Sequence, residues 1–256
     1  VIAAGALAVT VGAAFVARLT RAKDPLVPPS LFQNRAFTIT NLATVLLYAA
    51  LGVAFFLIAY QLQVAAGWSA LESGIALLPT TILMLVGSAA SGALTERIGP
   101  RTQLTVGPLV TAVGLVLLAR IGTDVSWTRD VLPGALLFGL GLVTFVAPLT
   151  ATVMASVGAD HVNVGSAVNN AVARTASLAA LSVIPVVSGL SASETADAVT
   201  DAFRVALIIA AVLAAAAAPV AFVGLSPGDR ADPRARRMHC AVDGPPLHTD
   251  RSPSLA

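Results

Sequence analysis

The stretch Gly92-Ala93-Leu94-Thr95-Glu96-Arg97-Ile98-Gly99-Pro100-Arg101 is a short charged segment between two long apolar runs. One carboxylate, Glu96, stands among two guanidinium groups, and a Gly-Pro pair follows. Because proline disfavours helical backbone in the residue before it, this pair predicts the end of a turn. We expect the segment to join two helices, with Gly92 allowing those helices to approach closely. The apolar runs on either side of the turn decide the fold.

The composition of the chain favours a membrane protein. Of its 256 residues, 57% are hydrophobic and 11% are charged. A water-soluble domain has roughly 45–50% apolar and about 25% charged residues, so a soluble fold would lack polar surface. A helix crosses a bilayer with about 20 apolar residues, and the chain has about seven such runs. We therefore predict an all-α membrane protein, a polytopic transmembrane helix bundle, whose spans lie at 1–16, 36–61, 71–94, 103–121, 131–157, 164–190 and 202–225.

The two ends of the chain differ from its middle. The chain begins inside an apolar run, so we expect 1–16 to be a truncated span that upstream sequence would complete, and 1–35 to be that span with a cytoplasmic loop. After residue 225 the sequence becomes rich in Pro, Arg, Asp and Ser, which predicts a disordered tail at 226–256. The net charge of +2 gives no reason to expect a nucleic-acid partner. The predicted partners are the lipid bilayer and a small-molecule substrate.

The basic residues predict the orientation of the spans. Short cytoplasmic loops carry an excess of Lys and Arg. If successive spans alternate in direction, one side of the membrane holds Arg129, with Arg120 and Arg204 at its boundary. The other side holds the larger set of basic residues: Arg18, Arg21, Lys23, Arg35, Arg97, Arg101, Arg230, Arg234, Arg236 and Arg237. We therefore expect a multi-pass protein of the cell (plasma) membrane whose C-terminus and charged turn are cytoplasmic.

Polar side chains inside the spans predict which helices line a cavity. The sixth span places Asn163, Ser166, Asn170, Arg174 and Ser177 on one helical face. Arg174 lies near mid-bilayer, where an arginine costs at least about 2.5–3.5 kcal/mol, so it should meet a partner or water. The alternative is a structural arginine that binds helix carbonyls. Asn169 points off this face and could brace a neighbouring helix. The predicted substrate cavity consists of Tyr48, Thr44, Asn170 and Arg174.

The fourth and seventh spans carry few polar side chains, and we expect both to face lipid at the periphery. The six spans of 36–225 then divide into two triplets, 36–121 and 131–225, each ending in a lipid-facing member. Such a division is typical of an inverted three-helix repeat.

Local signals predict some details at the ends and contacts of the spans. Ser69 and Glu72 have capping-box spacing at the start of the third span. Trp68 and Trp127 lie in loops on the same predicted outer side, where an aromatic belt would place them. Glycines within the fifth span are expected to permit close helix packing; they are Gly134, Gly139 and Gly141.

The charged turn resembles the loop signature of the major facilitator superfamily, G-x-L-x-D-R-x-G-R-K. Gly92, Leu94, Arg97, Gly99 and Arg101 match that signature, Glu96 replaces its aspartate, and Pro100 departs from it. The resemblance implies a gating loop formed by Gly92, Leu94, Glu96, Arg97, Gly99 and Arg101, in which Glu96, Arg97 and Arg101 would form an ion-pair latch. The alternative is that these charges only set the topology.

Further stretches resemble the fourteen-helix drug:proton antiporter branch of that superfamily: Asp24-Pro25-Leu26-Val27, the run from Gly67 to Gly74 with Leu78-Pro79, and the run from Gly165 to Arg174. The resemblance implies the C-terminal six-helix half of a major facilitator fold plus one preceding inserted helix, with the N-terminal half of the same chain missing. It implies export of amphipathic molecules by proton-coupled alternating access. The proton gradient would be the energy source, and neither a cofactor nor an enzymatic activity is expected. The alternatives are a facilitator-type transporter of another solute and a non-transporting membrane scaffold.

Overall fold

The computed structural model describes residues 27–158, 161–192 and 195–226, together with Thr10 and Arg18. Those ranges are helices joined by short connections, and they contain no strand. Apart from Thr10 and Arg18, the predicted truncated span at 1–16 and its loop up to residue 26 lie outside the described residues. The predicted tail lies outside them as well, beyond Ser226.

Six helical segments of the described chain are long and apolar enough to cross a bilayer, which confirms the helix bundle predicted between 36 and 225. The third span is divided into two helices, and short single-turn helices lie at Pro29–Gln33, Trp127–Val131 and Leu190–Ala192. In chain order the helices are α1 (Arg35–Val64), α2 (Ala70–Ala76), α3 (Leu78–Ile98), α4 (Pro100–Leu118), α5 (Leu132–Ala155), α6 (Val162–Val187) and α7 (Ala196–Gly224).

Local hydrogen bonds set where these helices begin. The side chain of Asn34 caps α1 by accepting from Phe37 N at 3.2 Å. The capping box predicted at the start of the third span is present at α2, where Ser69 is the N-cap residue. The seventh span was expected to begin at residue 202, but α7 starts at Ala196. Thr195 Oγ1 accepts from Ala198 N at 3.3 Å, and this N-cap allows the helix to start earlier.

The six spans are arranged in three layers. α4 packs against α7 in one layer, α1 and α5 form the next, and α3 and α6 pack on α5 and α1 respectively. In the third span, only 17% of the most apolar 18-residue stretch is buried within the bundle, and in α6 only 11% is buried. In each of the other spans at least 44% is buried. The side of the bundle formed by α3 and α6 is therefore the most open one.

The fourth and seventh spans, α4 and α7, form an outer layer of the bundle opposite the side formed by α3 and α6, in agreement with the expectation that they are peripheral. α7 buries a run of small side chains against α1 and α4, among them Ala206, Ala210 and Ala214. Small residues let helices approach closely, so a helix with little polar content can be well covered by other helices. The outward faces of both spans are nevertheless apolar: Val113 is 53% exposed and Val212 is 63% exposed.

Glycines of α5 allow close contacts with α4 and with α3, which confirms the role predicted for the glycines of the fifth span. A Cβ atom at Gly134 would lie 2.7 Å from Leu118 Cγ, and one at Gly139 would lie 2.9 Å from Thr80 Cα. A Cβ atom at Gly141 would overlap the backbone nitrogen and the hydroxyl of Thr111. These helices could not pack at this distance with larger residues at those positions.

Corresponding members of the two predicted triplets have corresponding partners. α1 packs on α6 and α7, while α5, which takes the same place in the second triplet, packs on α3 and α4. Two exchanged three-helix repeats would produce this contact pattern. The inverted repeat itself stays a prediction.

Candidate functional site

The open side of the bundle carries a polar pair midway along α6. Asn170 and Arg174 are both exposed, and Arg174 Nε donates to Asn170 Oδ1 at 3.1 Å. A guanidinium has five N–H donors, and the remaining donors of Arg174 have no hydrogen-bond partner among the described residues. The structure thus brings two of the four predicted cavity residues together on the least covered helix.

A buried polar cluster holds α6 against α1. Asn169 Nδ2 donates to Thr44 Oγ1 at 2.8 Å and to Asn41 Oδ1 at 3.2 Å. Asn41 and Thr44 in turn donate to backbone carbonyls of α1. The expectation that Asn169 braces a neighbouring helix is confirmed.

The other two predicted cavity residues lie in the interface between α1 and α6. Thr44 is fully buried there, and Tyr48 is half-buried, its carbonyl accepting from Ser177 Oγ at 2.7 Å. A Cβ atom at Gly52 would lie 2.7 Å from Ser177 Cβ, so the backbones are in close contact at this level. Thr44 is therefore not part of the exposed face of α6, and its contact with α6 is the hydrogen bond from Asn169. Ser177, which was predicted to share the face of Asn170 and Arg174, instead contacts α1.

The prediction of a ten-residue turn at 92–101 is wrong, because α3 continues to Ile98. Of residues 92–101 only Gly99 is outside a helix, and Pro100 is the first residue of α4. Gly99 has φ 82° and ψ 156°, a conformation that glycine adopts at little cost. Proline is favoured in the first turn of a helix, where its missing N–H is not needed. One glycine thus forms the whole joint between α3 and α4.

The residues predicted for the gating loop lie around this joint. Leu94 and Arg97 are exposed, and a Cβ atom at Gly92 would meet no atom within 4 Å. The close helix approach expected at Gly92 is therefore not present. The side chain of Glu96 lies outside the described residues, so the ion-pair latch stays a prediction.

An amide latch that the sequence reasoning missed closes the joint. Gln103 is buried, with 1% of its surface exposed. Its Nε2 donates to Ser91 O at 3.1 Å, and its Oε1 accepts from Thr95 Oγ1 at 2.5 Å. This one side chain on α4 therefore holds the last turns of α3.

Two arginines bind the last turn of α7. Arg101 Nε donates to Phe222 O at 2.8 Å, and its guanidinium carbon lies 4.1 Å from the centre of the Phe222 ring. Arg35 Nη2 donates to Val223 O at 2.9 Å. The final carbonyls of a helix lack partners within the helix and carry partial negative charge, so guanidinium groups stabilise them. Arg101 thus contacts α7 from the start of α4, and this contact was not predicted.

At the opposite end of the bundle, the buried amide side chain of Gln61 joins α1, α4 and α7. Gln61 Nε2 donates to Thr200 Oγ1 at 2.8 Å and to Gly122 O at 3.1 Å. These contacts join the end of α1, the connection after α4 and the start of α7. Side-chain hydrogen bonds therefore join α1, α4 and α7 at both ends. α6 attaches to these three helices along α1.

The geometry defines a class of protein: a polytopic helical membrane protein whose open face carries a charged side chain midway along a helix long enough to cross a bilayer. Comparison with known families makes this specific. The chain belongs to the Major Facilitator Superfamily, a family of transporters, whose sequence model matches residues 1–182.

Several curated relatives are named for drug resistance. The chain is 33% identical to the tetracenomycin C resistance and export protein of Streptomyces glaucescens over 60% of this chain and 29% of that protein. It is 37% identical to the lincomycin resistance protein of Streptomyces lincolnensis over 49% of this chain and 26% of that protein. It is 27% identical to the puromycin resistance protein pur8 of Streptomyces alboniger over 79% of this chain and 43% of that protein. The chain spans less than half the length of these curated relatives.

Proposed function

We propose that the chain is the C-terminal portion of a transporter that exports small amphipathic molecules by proton-coupled alternating access. The pathway would run between the open face of α3 and α6 and an N-terminal half that this chain does not include. The observation that carries the proposal is the Asn170–Arg174 pair, exposed midway along the least buried span.

The cost of placing arginine in lipid supports this proposal. An arginine at the centre of a membrane helix costs at least about 2.5–3.5 kcal/mol if its charge meets hydrocarbon. One hydrogen bond to Asn170 offsets only part of this, since a bond between side chains in membranes averages about 0.6 kcal/mol. An aqueous cavity or a polar ligand beside α6 removes most of the cost. The Asn170–Arg174 face therefore suits a transport pathway better than a lipid boundary.

The apolar neighbours of the pair support an amphipathic substrate. Leu178, one turn after Arg174, is 66% exposed, and on α3 Leu85 is 79% exposed. A pocket that binds small molecules combines apolar walls with a few polar groups. The names of the relatives, which include antibiotic resistance and export, are consistent with such a substrate.

The joint at Gly99 is a candidate hinge for the helix motion that alternating access requires. Rocking of helices around a central site needs a position that absorbs a change in backbone direction. Gly99, the one residue between α3 and α4 that is outside a helix, would absorb that change, and Gln103 holds α3 and α4 in the arrangement described above. The residue that couples transport to protons is expected outside this chain.

The test is drug efflux by the complete transporter, expressed in a host that lacks other exporters. We expect Arg174→Ala to abolish efflux across a substrate panel and Arg174→Lys to retain part of it. The matched control is Arg204→Ala, which removes an arginine that already pairs with Asp201 at the start of α7. Wild-type efflux by Arg174→Ala would refute the proposed cavity.

The same assay separates the alternative functions. A proton-coupled exporter loses activity when an uncoupler collapses the proton gradient. A facilitator of another solute would continue to equilibrate its substrate under those conditions. A scaffold would insert into the membrane without moving any compound of the panel.

A further inference from the structure

A cavity of about 360 Å³ lies between the start of α4 and the last turn of α7, beside the Gly99 joint. Its polar side is lined by Arg101 and Thr102. Its apolar side is lined by Val106 of α4 and Phe222 of α7. Because α4 and α7 form the outer layer opposite α3 and α6, this cavity is separate from the proposed transport pathway.

Arg101 is held on α7 by one of its three guanidinium nitrogens. Its Nε donates to Phe222 O at 2.8 Å, and its guanidinium carbon lies 4.1 Å from the centre of the Phe222 ring. The hydrogen bonds and ion pairs of the described residues leave both terminal nitrogens of Arg101 without a partner. Two parallel N–H donors of a guanidinium match two oxygens of a phosphate group. Arg101 thus presents a fixed pair of phosphate donors at the wall of the cavity.

A threonine hydroxyl adds a further donor beside this guanidinium. Thr102 Oγ1 lies 3.5 Å from Ile98 O, which is at the limit for a hydrogen bond. The hydroxyl can therefore turn to a stronger acceptor in the cavity. Thr105, which also lines the cavity, is already committed, because its Oγ1 donates to Arg101 O at 2.8 Å.

The distribution of charge favours an anion at this end of the bundle. Arg35 Nη2 donates to Val223 O, so Arg35 and Arg101 flank the last turn of α7. The carboxylate side chains that the structure describes lie at the opposite end: Glu72, Asp124, Asp130, Asp197 and Asp201. Glu96, whose side chain is outside the described residues, would compete for Arg101 in the predicted latch. An anion bound to Arg101 would exclude that latch.

Exposed apolar side chains continue from the cavity along α4. Val106, Leu109 and Val113 follow one another at steps of three and four residues, so they share one helical face, and all three are exposed. A soluble phosphate compound would leave this face uncovered. An acyl chain attached to the phosphate would lie along it, so the whole surface matches a phospholipid.

We propose that this cavity binds the phosphate headgroup of an anionic phospholipid such as phosphatidylglycerol. The phosphate accepts from the terminal nitrogens of Arg101 and from Thr102 Oγ1, and an acyl chain lies along α4 past Val106. Basic pockets between membrane helices bind anionic headgroups in this way. A zwitterionic lipid is disfavoured, because its ammonium group would approach Arg35 and Arg101. The site goes beyond the export proposal and does not depend on it.

The test is photolabelling of the complete transporter in phosphatidylcholine liposomes. The probe is a phosphatidylglycerol whose acyl chain carries a diazirine close to the glycerol, and labelled peptides are identified by mass spectrometry. We expect labelling at the start of α4 and the last turn of α7 that saturates as the probe fraction rises. Unlabelled phosphatidylglycerol should displace the probe, whereas excess glycerol phosphate, which has no acyl chain, should not.

Three variants test the assigned residues. Arg101→Gln should raise the probe fraction for half-maximal labelling about fivefold, and Arg101→Lys, which keeps the charge, should raise it less. Val106→Trp fills the cavity from its exposed side without altering Arg101, and it should weaken labelling of α7 at least as much as Arg101→Gln. Arg97→Gln is the matched control, because Arg97 is exposed at the same end and does not line the cavity. Its effect should be less than about twofold, since salt screens exposed charges.

Equal labelling of Arg101→Gln and Arg97→Gln would refute the site, as would labelling that never saturates. Displacement by glycerol phosphate would show that the ligand is a soluble phosphate compound, and unchanged labelling of Val106→Trp would place the lipid outside the cavity; either result overturns the proposal. Labelling requires no transport, so this proposal and the export proposal can fail independently.

Discussion

Replacing Gln103 with leucine should loosen the joint between α3 and α4. The substitution removes the bond to Ser91 O at 3.1 Å and the bond from Thr95 Oγ1 at 2.5 Å. A net contribution of about 0.5–1.5 kcal/mol per bond gives about 1–3 kcal/mol, while membrane values near 0.6 per bond give about 1.2. Without Gln103, the single hydroxyl hydrogen of Thr95 can be donated to Ser91 O, 2.9 Å from Thr95 Oγ1, so the threonine keeps a hydrogen-bond partner. We therefore expect a loss of about 1–2 kcal/mol.

The assay is reversible unfolding in mixed detergent micelles, followed by far-ultraviolet circular dichroism. Gln63→Leu is the matched control, because Gln63 is exposed and removing an exposed side chain usually changes stability by less than about 0.5 kcal/mol. Combining Gln103→Leu with Thr95→Val should give a coupling free energy of about 0.5–1 kcal/mol. Strict additivity, or equal losses for Gln103→Leu and Gln63→Leu, would refute the latch.

Two further substitutions test the helix contacts by the same unfolding measurement. Gly141→Ala should destabilise the bundle by about 1–3 kcal/mol, because its Cβ would overlap Thr111, whereas Gly74→Ala, which has open space, should be neutral or stabilising. Equal effects would show that α4 and α5 can separate freely. Asn169→Leu should cost about 1–3 kcal/mol, because it leaves Asn41 Oδ1 buried without its partner. The exposed control Asn163→Leu should change stability by less than about 0.5 kcal/mol, and a reversed order would refute the α1–α6 cluster.

The sequence predicted the number of spans between 36 and 225 and several local contacts. Span length follows from bilayer thickness, and the capping box at Ser69 depends on residues only three apart. The bracing role of Asn169 was also accessible, because helical periodicity turns it away from the Asn170 face. These predictions need only the geometry of one helix.

The residues that the sequence did not reveal act between helices far apart in the chain. Gln61 and Gln103 lie near the ends of spans, where a glutamine would ordinarily be solvated, yet both are buried. Arg101 contacts Phe222, which lies on the last helix. The extent of α3 was missed because its last turn contains the charged residues Glu96 and Arg97, which suggested a loop; the structure needs only Gly99 to connect α3 to α4. Such contacts depend on how helices pack, which no periodicity encodes.

The proposal that α6 lines an aqueous pathway is tested most directly by labelling single cysteines in the complete transporter, with Cys240 replaced by serine. A membrane-impermeant maleimide should react with Asn170→Cys, which lies on the exposed face of α6 beside Arg174. It should not react with Val212→Cys on the apolar outer face of α7. Labelling of Val212→Cys with no labelling of Asn170→Cys would contradict the proposed pathway.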